Sequence, residues 1–476
     1  MAFPPLRKPT ITCACHLLRS KELVAALVSL VVAGCTLHPT NPAPRPGPEL
    51  AEFSADAKTE TIAPVGPAWW LSMQSPQLTG YIEKALRTSR SVEAARARFA
   101  QADAIYRRAS AALGPNVDFK ARYDHDIKAD VPRDDYWEIG PALSWEIDVF
   151  GRAKSTQQVR RMERDSRGYL LQGAQLTLSA NVAEAYLGVI EQNELLRLLH
   201  SQRDSSLNFL RIIQQRYDQG LISVVDLLQQ RSQVLDTESL IPDAEANLRV
   251  QENILQTLVG DWPEGRGMAV EGTLPLVAPL PSLGNPGDLL AHRPDLLVAR
   301  ADLMASDADI GRAIADRLPR LTFSADALLV EGRGKENLLS TLSSGLVLPL
   351  LDWGSRRMEV VRSKEVYRER LAIFAQTYQD AVLDVENAVV RAVKQRELNG
   401  RLEERRKLLE EVLQQSQERY TRGLTDYLPV LTSLQQLNAV EQRLIRERRK
   451  LLSQRVTLHR ALGGPVPPQE GGVEKK

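Results

Sequence analysis

The residues that could do bond-making chemistry in this chain are few and badly placed for it. Its six histidines, His16, His38, His125, His200, His292 and His459, are scattered, without a metal-ligand spacing such as His-Glu-x-x-His. Gly332-Arg333-Gly334 falls between two strand-like segments and does not open a helix, as a phosphate-cradling loop must. The run Glu403-Glu404-Arg405-Arg406 has the character of a solvated helix face. No catalytic, metal or cofactor constellation emerges, which argues against an enzyme. One thiol, Cys35 after Val32-Ala33-Gly34, is placed for covalent modification. The other groups worth naming are recognition groups, and they come in duplicate. Arg216-Tyr217-Asp218-Gln219-Gly220-Leu221 returns about 203 residues later as Arg419-Tyr420-Thr421-Arg422-Gly423-Leu424.

The thiol comes with an address. Arg7, Lys8, Arg19 and Lys21 precede the apolar run Leu23 to Gly34, which is too short to span a bilayer as a mature helix. Small residues before a cysteine match a bacterial lipobox. Residues 1–34 then form a signal peptide, and Cys35 is acylated as the first mature residue. Cys13 and Cys15 leave with the signal, so no cysteine remains for a disulfide or a metal cage. Thr36 stands where an Asp would mark inner-membrane retention, which favours the outer membrane. Thr36 to Pro48 holds five prolines, so residues 35–68 are expected to form an extended tether that packs on nothing. A formal charge of +1 gives no basic field for nucleic acid.

The duplication extends well beyond the Gly-Leu turns. Leu228, Val234, Ile241, Leu248 and Leu255 reappear in register as Leu431, Leu437, Leu444, Leu451 and Leu458, and Gly114-Pro115 is echoed by Leu318-Pro319. A period this long exceeds any solenoid unit and implies two structural halves. Each half reads as helix, β-hairpin, long helix, helix. In the first, a helical pattern from about Gln77 to Leu113 stops at Gly114-Pro115. Gly151 to Gly220 and Gly354 to Gly423 contain no proline and predict helices on the order of 100 Å long. Leu176, Ala180, Ala183, Leu187 and Ile190 follow a coiled-coil seam. Pro242 is expected to kink the helix that follows the first turn.

Between the helices, hydrophobicity alternates with period two. Val117, Phe119, Ala121 and Tyr123 alternate with Asp118, Lys120, Arg122 and Asp124. Trp137, Ile139, Pro141, Leu143, Trp145, Ile147 and Val149 alternate with Glu138, Gly140, Ala142, Ser144, Glu146 and Asp148. A second pair is expected at Leu321 to Leu329 and Leu342 to Leu351, the hairpins covering about 115–150 and 319–352. Pro141 and Pro349 each remove a ladder donor and suggest a bulge or bend. Two readings of the faces stay open: core against solvent, or lipid against a wet lumen. If the strands span a membrane, four per chain cannot close a barrel and the chain must oligomerise. The strand count by itself leaves two, three or four copies open.

These features together resemble a known family. The lipobox, Trp69-Trp70, Trp145-x-x-Asp148-x-Phe150-Gly151-Arg152, Arg293-Pro294-Asp295, Asp352-Trp353-Gly354 and the doubled Gly-Leu turns look like a TolC/NodT-type outer-membrane efflux lipoprotein. The resemblance implies a mainly α protein with a small β part. It would be a homotrimer forming a 12-stranded β-barrel and a 12-helix α-barrel tunnel. The residues 69–270 and 271–464 would be its two repeats, and 465–476 a polar tail. It implies a passive duct for small molecules, anchored through palmitate on Cys35, bounded by outer-membrane lipids. Its partners would be a periplasmic adaptor (membrane fusion protein) and an inner-membrane pump of RND or ABC type. Trp137, Ile139, Leu143 and Trp145 would then face lipid. Arg216, Gly220, Leu221, Arg419, Gly423 and Leu424 would meet the adaptor. Tyr217, Asp226, Tyr420 and Thr432 would form the periplasmic gate, with Thr432 and Pro429 departing from the Asp found in relatives. The rivals are a lipid-anchored periplasmic coiled-coil scaffold and a protein-secretion channel.

Overall fold

The structure is a computed structural model that describes residues 38–39, 42–48, 53, 68–125, 135–265, 267–268, 270, 272–275, 280, 283–332 and 335–464. The signal peptide, Cys35, most of the tether, the Arg333-Gly334 pair and the polar tail lie outside these residues. The main elements are α1 (Pro76–Thr88), α2 (Arg90–Ala111), β1 (Asn116–His125), β2 (Asp135–Ile147), α3 (Arg152–Asp218) and α4 (Val224–Leu258). There follow α5 (Pro294–Ala315), β3 (Arg320–Gly332), β4 (Lys335–Val347), α6 (Ser355–Thr421) and α7 (Leu428–Ala461). Helices α3 and α6 both run 67 residues without interruption, so each is about 100 Å long. The expected helix from Gln77 to Leu113 is instead two, because Ser89 takes extended backbone (ψ 126°) between them.

One compact unit comprises the described parts of Met1–Pro42, Ala104–Met162 and Met304–Arg368. It holds a four-stranded antiparallel sheet of order β1-β2-β3-β4. β4 begins at Lys335, earlier than the expected Leu342, and ends at Val347, so Leu348 to Leu351 lie beyond the strand. Lys335, Glu336, Asn337 and Ser340 hid it, since they lack the aromatic and β-branched character that marks a strand. Pro349 is therefore outside the ladder. Pro141 sits inside it, where pairing with β3 skips between Ile139↔Leu329 and Ala142↔Asp326. The skip also brings the backbones together. A Cβ on Gly140 would stand 2.1 Å from the Ala327 carbonyl oxygen, a contact only glycine permits.

The tether does pack. His38 Nε2 lies 2.9 Å from Asp307 Oδ1, a half-buried pairing, and the expectation of a free extended leash fails at that point. Below the sheet, Arg152 grips Glu146 with both ends of its guanidinium at 2.8 and 2.7 Å.

The second unit comprises the described parts of Ala43–Asp103, Glu163–Leu303 and Glu369–Lys476. Its largest core joins Trp69 and Trp70 to Leu78, Ile82 and the α3 seam. Leu176, Ala180, Ala183, Leu187 and Ile190 are all buried there, as their spacing predicts. Trp69 donates its indole N–H to Ser179 Oγ at 3.2 Å, so the buried ring leaves no orphan donor. Pro242 is accommodated inside α4, which continues through it.

Candidate functional site: the sheet face and the two helix tips

In the sheet, register turns the sequence alternation into two surfaces. Val117↔Leu143, Leu143↔Ala325 and Ala325↔Leu342 form one continuous row, and Ala121↔Ile139, Ile139↔Leu329 and Leu329↔Leu338 another. This apolar face crosses all four strands. It is not a core: Phe119 is 73% exposed, Trp137 56%, Ile139 43% and Leu342 73%. Leu143 and Trp145 are half-buried instead, and Trp145 hands its indole N–H to Leu113 O at 3.0 Å. Tyr123 packs on Trp137 with ring centroids 4.7 Å apart.

The opposite surface is polar. Its rows join Asn116↔Ser144, Ser144↔Ser324 and Ser324↔Ser343, and Arg122↔Glu138 lies on the same side. Lys120 reaches Asp326 at 3.2 Å and Arg122 reaches Asp124 at 2.7 Å. Two apolar rows crossing four strands and facing outward, with a charged surface behind them, are opposite to what a soluble sandwich requires. They are what a lipid-facing barrel wall requires. The outer edges of β1 and β4 have no strand partner among the described residues.

In the second unit, both long helices end in the same way. Gly220 (φ +74°) and Gly423 (φ +72°) take left-handed backbone. Leu221 N–H returns to Arg216 O and Leu424 N–H to Arg419 O, each at 2.9 Å, while Gly220 and Gly423 N–H bond Tyr217 O and Tyr420 O. That pattern satisfies the last helical carbonyls and places a leucine just past the turn. Leu221 is 62% exposed and Leu424 64%. Ser223 caps the next helix by accepting Val225 N–H at 3.0 Å, and Asp226 sits in its first turn.

The remaining site residues divide. Tyr217 and Arg419 are exposed. Tyr420 is buried, packed with Phe209 and Tyr427, and the Arg216 guanidinium lies 4.9 Å from its ring centroid and 3.3 Å from its carbonyl oxygen. Arg216 thus joins the two tips within one chain. Tyr427, which sequence reading missed, is fully buried and bonds Gln230 through its hydroxyl. Burial, with Tyr420 and Asp226 nearby, pushes that phenol well above its ordinary range. A tyrosine one turn past a glycine stop was the available signal. Thr432 is exposed and donates its hydroxyl proton to Leu428 O at 2.9 Å, leaving only lone pairs outward.

Comparison with known proteins matches this geometry. A family model described as outer membrane efflux protein fits the chain twice, over residues 81–261 and 285–464. The chain is 27% identical to the pyoverdine export outer membrane protein OpmQ of Pseudomonas aeruginosa, covering 96% of this chain and 99% of OpmQ. It is 25% identical to nodulation protein T of Rhizobium leguminosarum bv. trifolii, covering 95% and 99%. Among solved structures, the outer-membrane channel OprN superposes with a TM-score of 0.84 at 24% identity, covering 90% of this chain and 99% of that one. With its duplicated helices, outward apolar sheet and twin glycine tips, the chain belongs to the outer membrane efflux protein family, the channel components of efflux pumps in the bacterial outer membrane.

Proposed function

We propose that three copies of this chain close a barrel in the outer membrane, continued by a helical tunnel, as a passive duct that exports small molecules. The observation that carries this reading is the sheet, whose apolar face is outward on every strand and whose two edges are unpaired among the described residues. An open edge in hydrocarbon leaves each N–H and C=O without a partner, at several kcal/mol apiece. Pairing β4 of one copy with β1 of the next removes both edges. Two copies of a four-stranded sheet would make eight strands, a barrel filled by its own side chains; three make 12 and leave a lumen.

The exposed Leu221 and Leu424, with Arg419, offer the apolar and charged contacts for a periplasmic adaptor, which couples the duct to an inner-membrane pump of RND or ABC type. Tyr217, Asp226, Tyr420 and Thr432 form the gate, where Arg216 latches one tip to the other. Cys35 carries the lipid anchor. Export of a small molecule, as in the name of OpmQ, fits better than protein secretion.

The test is the protein mass of the detergent-extracted complex by light scattering. Three chains are expected. A monomer released without detergent by cutting the tether would overturn the duct and leave the anchored scaffold.

A further inference from the structure

A cavity of ≈ 470 Å³ opens in the unit that contains most of the long helices. Its walls come from α3, the start of α5, α6 and the end of α7. Asp384, Ala388 and Arg391 line it from α6 at spacings of four and three, the spacing of one helix face. Thr457, Arg460 and Ala461 do the same from α7.

The charges in this cavity are unevenly satisfied. Arg293 is buried and spends its guanidinium on Asp295 (2.6 and 3.0 Å), Asp384 (3.1 Å) and the carbonyl oxygens of Ala381 and Ala461. Both acids of the cavity are thereby committed to Arg293. Arg391 and Arg460 are left, and neither guanidinium has a partner among the described residues. Elsewhere α6 pairs several of its arginines with acids three or four residues away, as in Arg362–Glu359, Arg401–Glu404 and Arg406–Glu410. Around Arg391 those positions hold Asn387, Ala388, Lys394 and Gln395; around Arg460 they hold Val456, Thr457, Gly463 and Gly464. Two forks that could not be paired locally therefore line one concavity, beside the hydroxyl of Thr457 and the amide of Asn387.

We propose that this cavity binds a small anion bearing carboxylate or phosphate groups, held chiefly by Arg391 and Arg460. The guanidinium fork matches both groups with two parallel hydrogen bonds, and the volume lies in the range of small-molecule sites. The inference does not depend on the duct reading, because each wall belongs to one chain.

The experiment is isothermal titration of the detergent-purified full-length protein with citrate and, separately, inorganic phosphate at low salt. Saturable binding of one anion per chain is expected, weakening as sodium chloride screens it. The double variant R391Q/R460Q should lose at least tenfold in affinity, and R391K/R460K should lose less, since charge survives without the fork. Binding of citrate alone assigns a carboxylate ligand, and binding of phosphate alone a phosphate ligand. Thermal unfolding of the variants checks that the fold is intact. No saturable heat from either anion, or unchanged affinity in a folded R391Q/R460Q protein, overturns the site.

Discussion

The two helix tips share a backbone and divide the side-chain work. Gly220 and Gly423 close them with the same left-handed residue and the same pair of hydrogen bonds. Around that frame the positions diverge. Tyr427 is fully buried, while its counterpart Val224 is 47% exposed; Leu431 is buried, while Leu228 is 55% exposed; Tyr420 is buried, while Tyr217 is 38% exposed. The second tip supplies a packed aromatic centre. The first contributes Phe209, Ile213 and Leu227 to that centre and leaves its leucines and valines outward. Duplication kept the geometry that ends a helix, which is local, and let go of whatever depended on the neighbour.

The largest test of this division is truncation at paired positions. Tyr427→Ala removes a buried ring and should cost about 3–5 kcal/mol, whereas Val224→Ala should change stability by less than about 0.5 kcal/mol. Tyr427→Phe should cost about 1–3 kcal/mol, because the Gln230 amide oxygen would lose its donor. Chemical unfolding in detergent reads all three. Equal losses at 427 and 224 would break the comparison.

A second contrast lies at the far end of the same helices, where His459 of α7 answers to Gln256 of α4, both buried. His459 stacks on Trp69 with centroids 5.6 Å apart, and its Nδ1 has no partner among the described residues. Burial, helped by the Arg455 charge, lowers its pKa from 6.5 to about 4. The neutral ring is the folded form, so the unfolded chain takes the proton first. Its contribution to stability is complete above pH 6.5 and is lost as pH falls toward 4, about 3 kcal/mol in all. His459→Gln should flatten that part of the acid limb. A variant whose acid sensitivity matches the parent would remove His459 as its source.

Much of this was legible beforehand, and the reasons are physical. The long helices announce themselves through the absence of proline and through a seam of five residues, all of which are buried. Hairpin β1–β2 was visible because its alternation is strong and its aromatics are many. β4 was cut short because the only apolar residues of its first half, Leu338 and Leu339, are adjacent and so fall on opposite faces, and period two carries little signal there. Leu143 and Trp145 have the right parity for the lipid face, but parity says nothing of how far along the strand a neighbour covers them. The roles of Arg216 and Tyr420 stayed hidden because their partners lie about 200 residues away, in the other repeat.

The tips themselves offer a smaller effect of the opposite kind, an equality. No atom lies within 4 Å of a Cβ built on Gly220 or Gly423, so alanine meets only the strain of a left-handed backbone. Each substitution should cost about 1–2 kcal/mol, the same at both tips. A much larger loss at one of them would mean that its turn also packs against a neighbour in the assembly, and the frame would no longer be the shared part.

The gate gives the finest distinction. Thr432 is one of the residues proposed to ring the constriction, and its counterpart in the first repeat is Gln229, which is half-buried. Asp at either position lies in the first turns of a helix, where a carboxylate is tolerated or mildly favoured, so folding should be little changed. Three carboxylates from Thr432→Asp should raise the cation selectivity of the resting channel in a planar bilayer. Gln229→Asp should leave it unchanged if only the second tip faces the lumen. A shift from both variants would place both tips on the constriction and make the gate as symmetric as the backbone. No shift from Thr432→Asp would take that residue off the lumen, and the unpaired lone pairs of its hydroxyl would then have no part in passage.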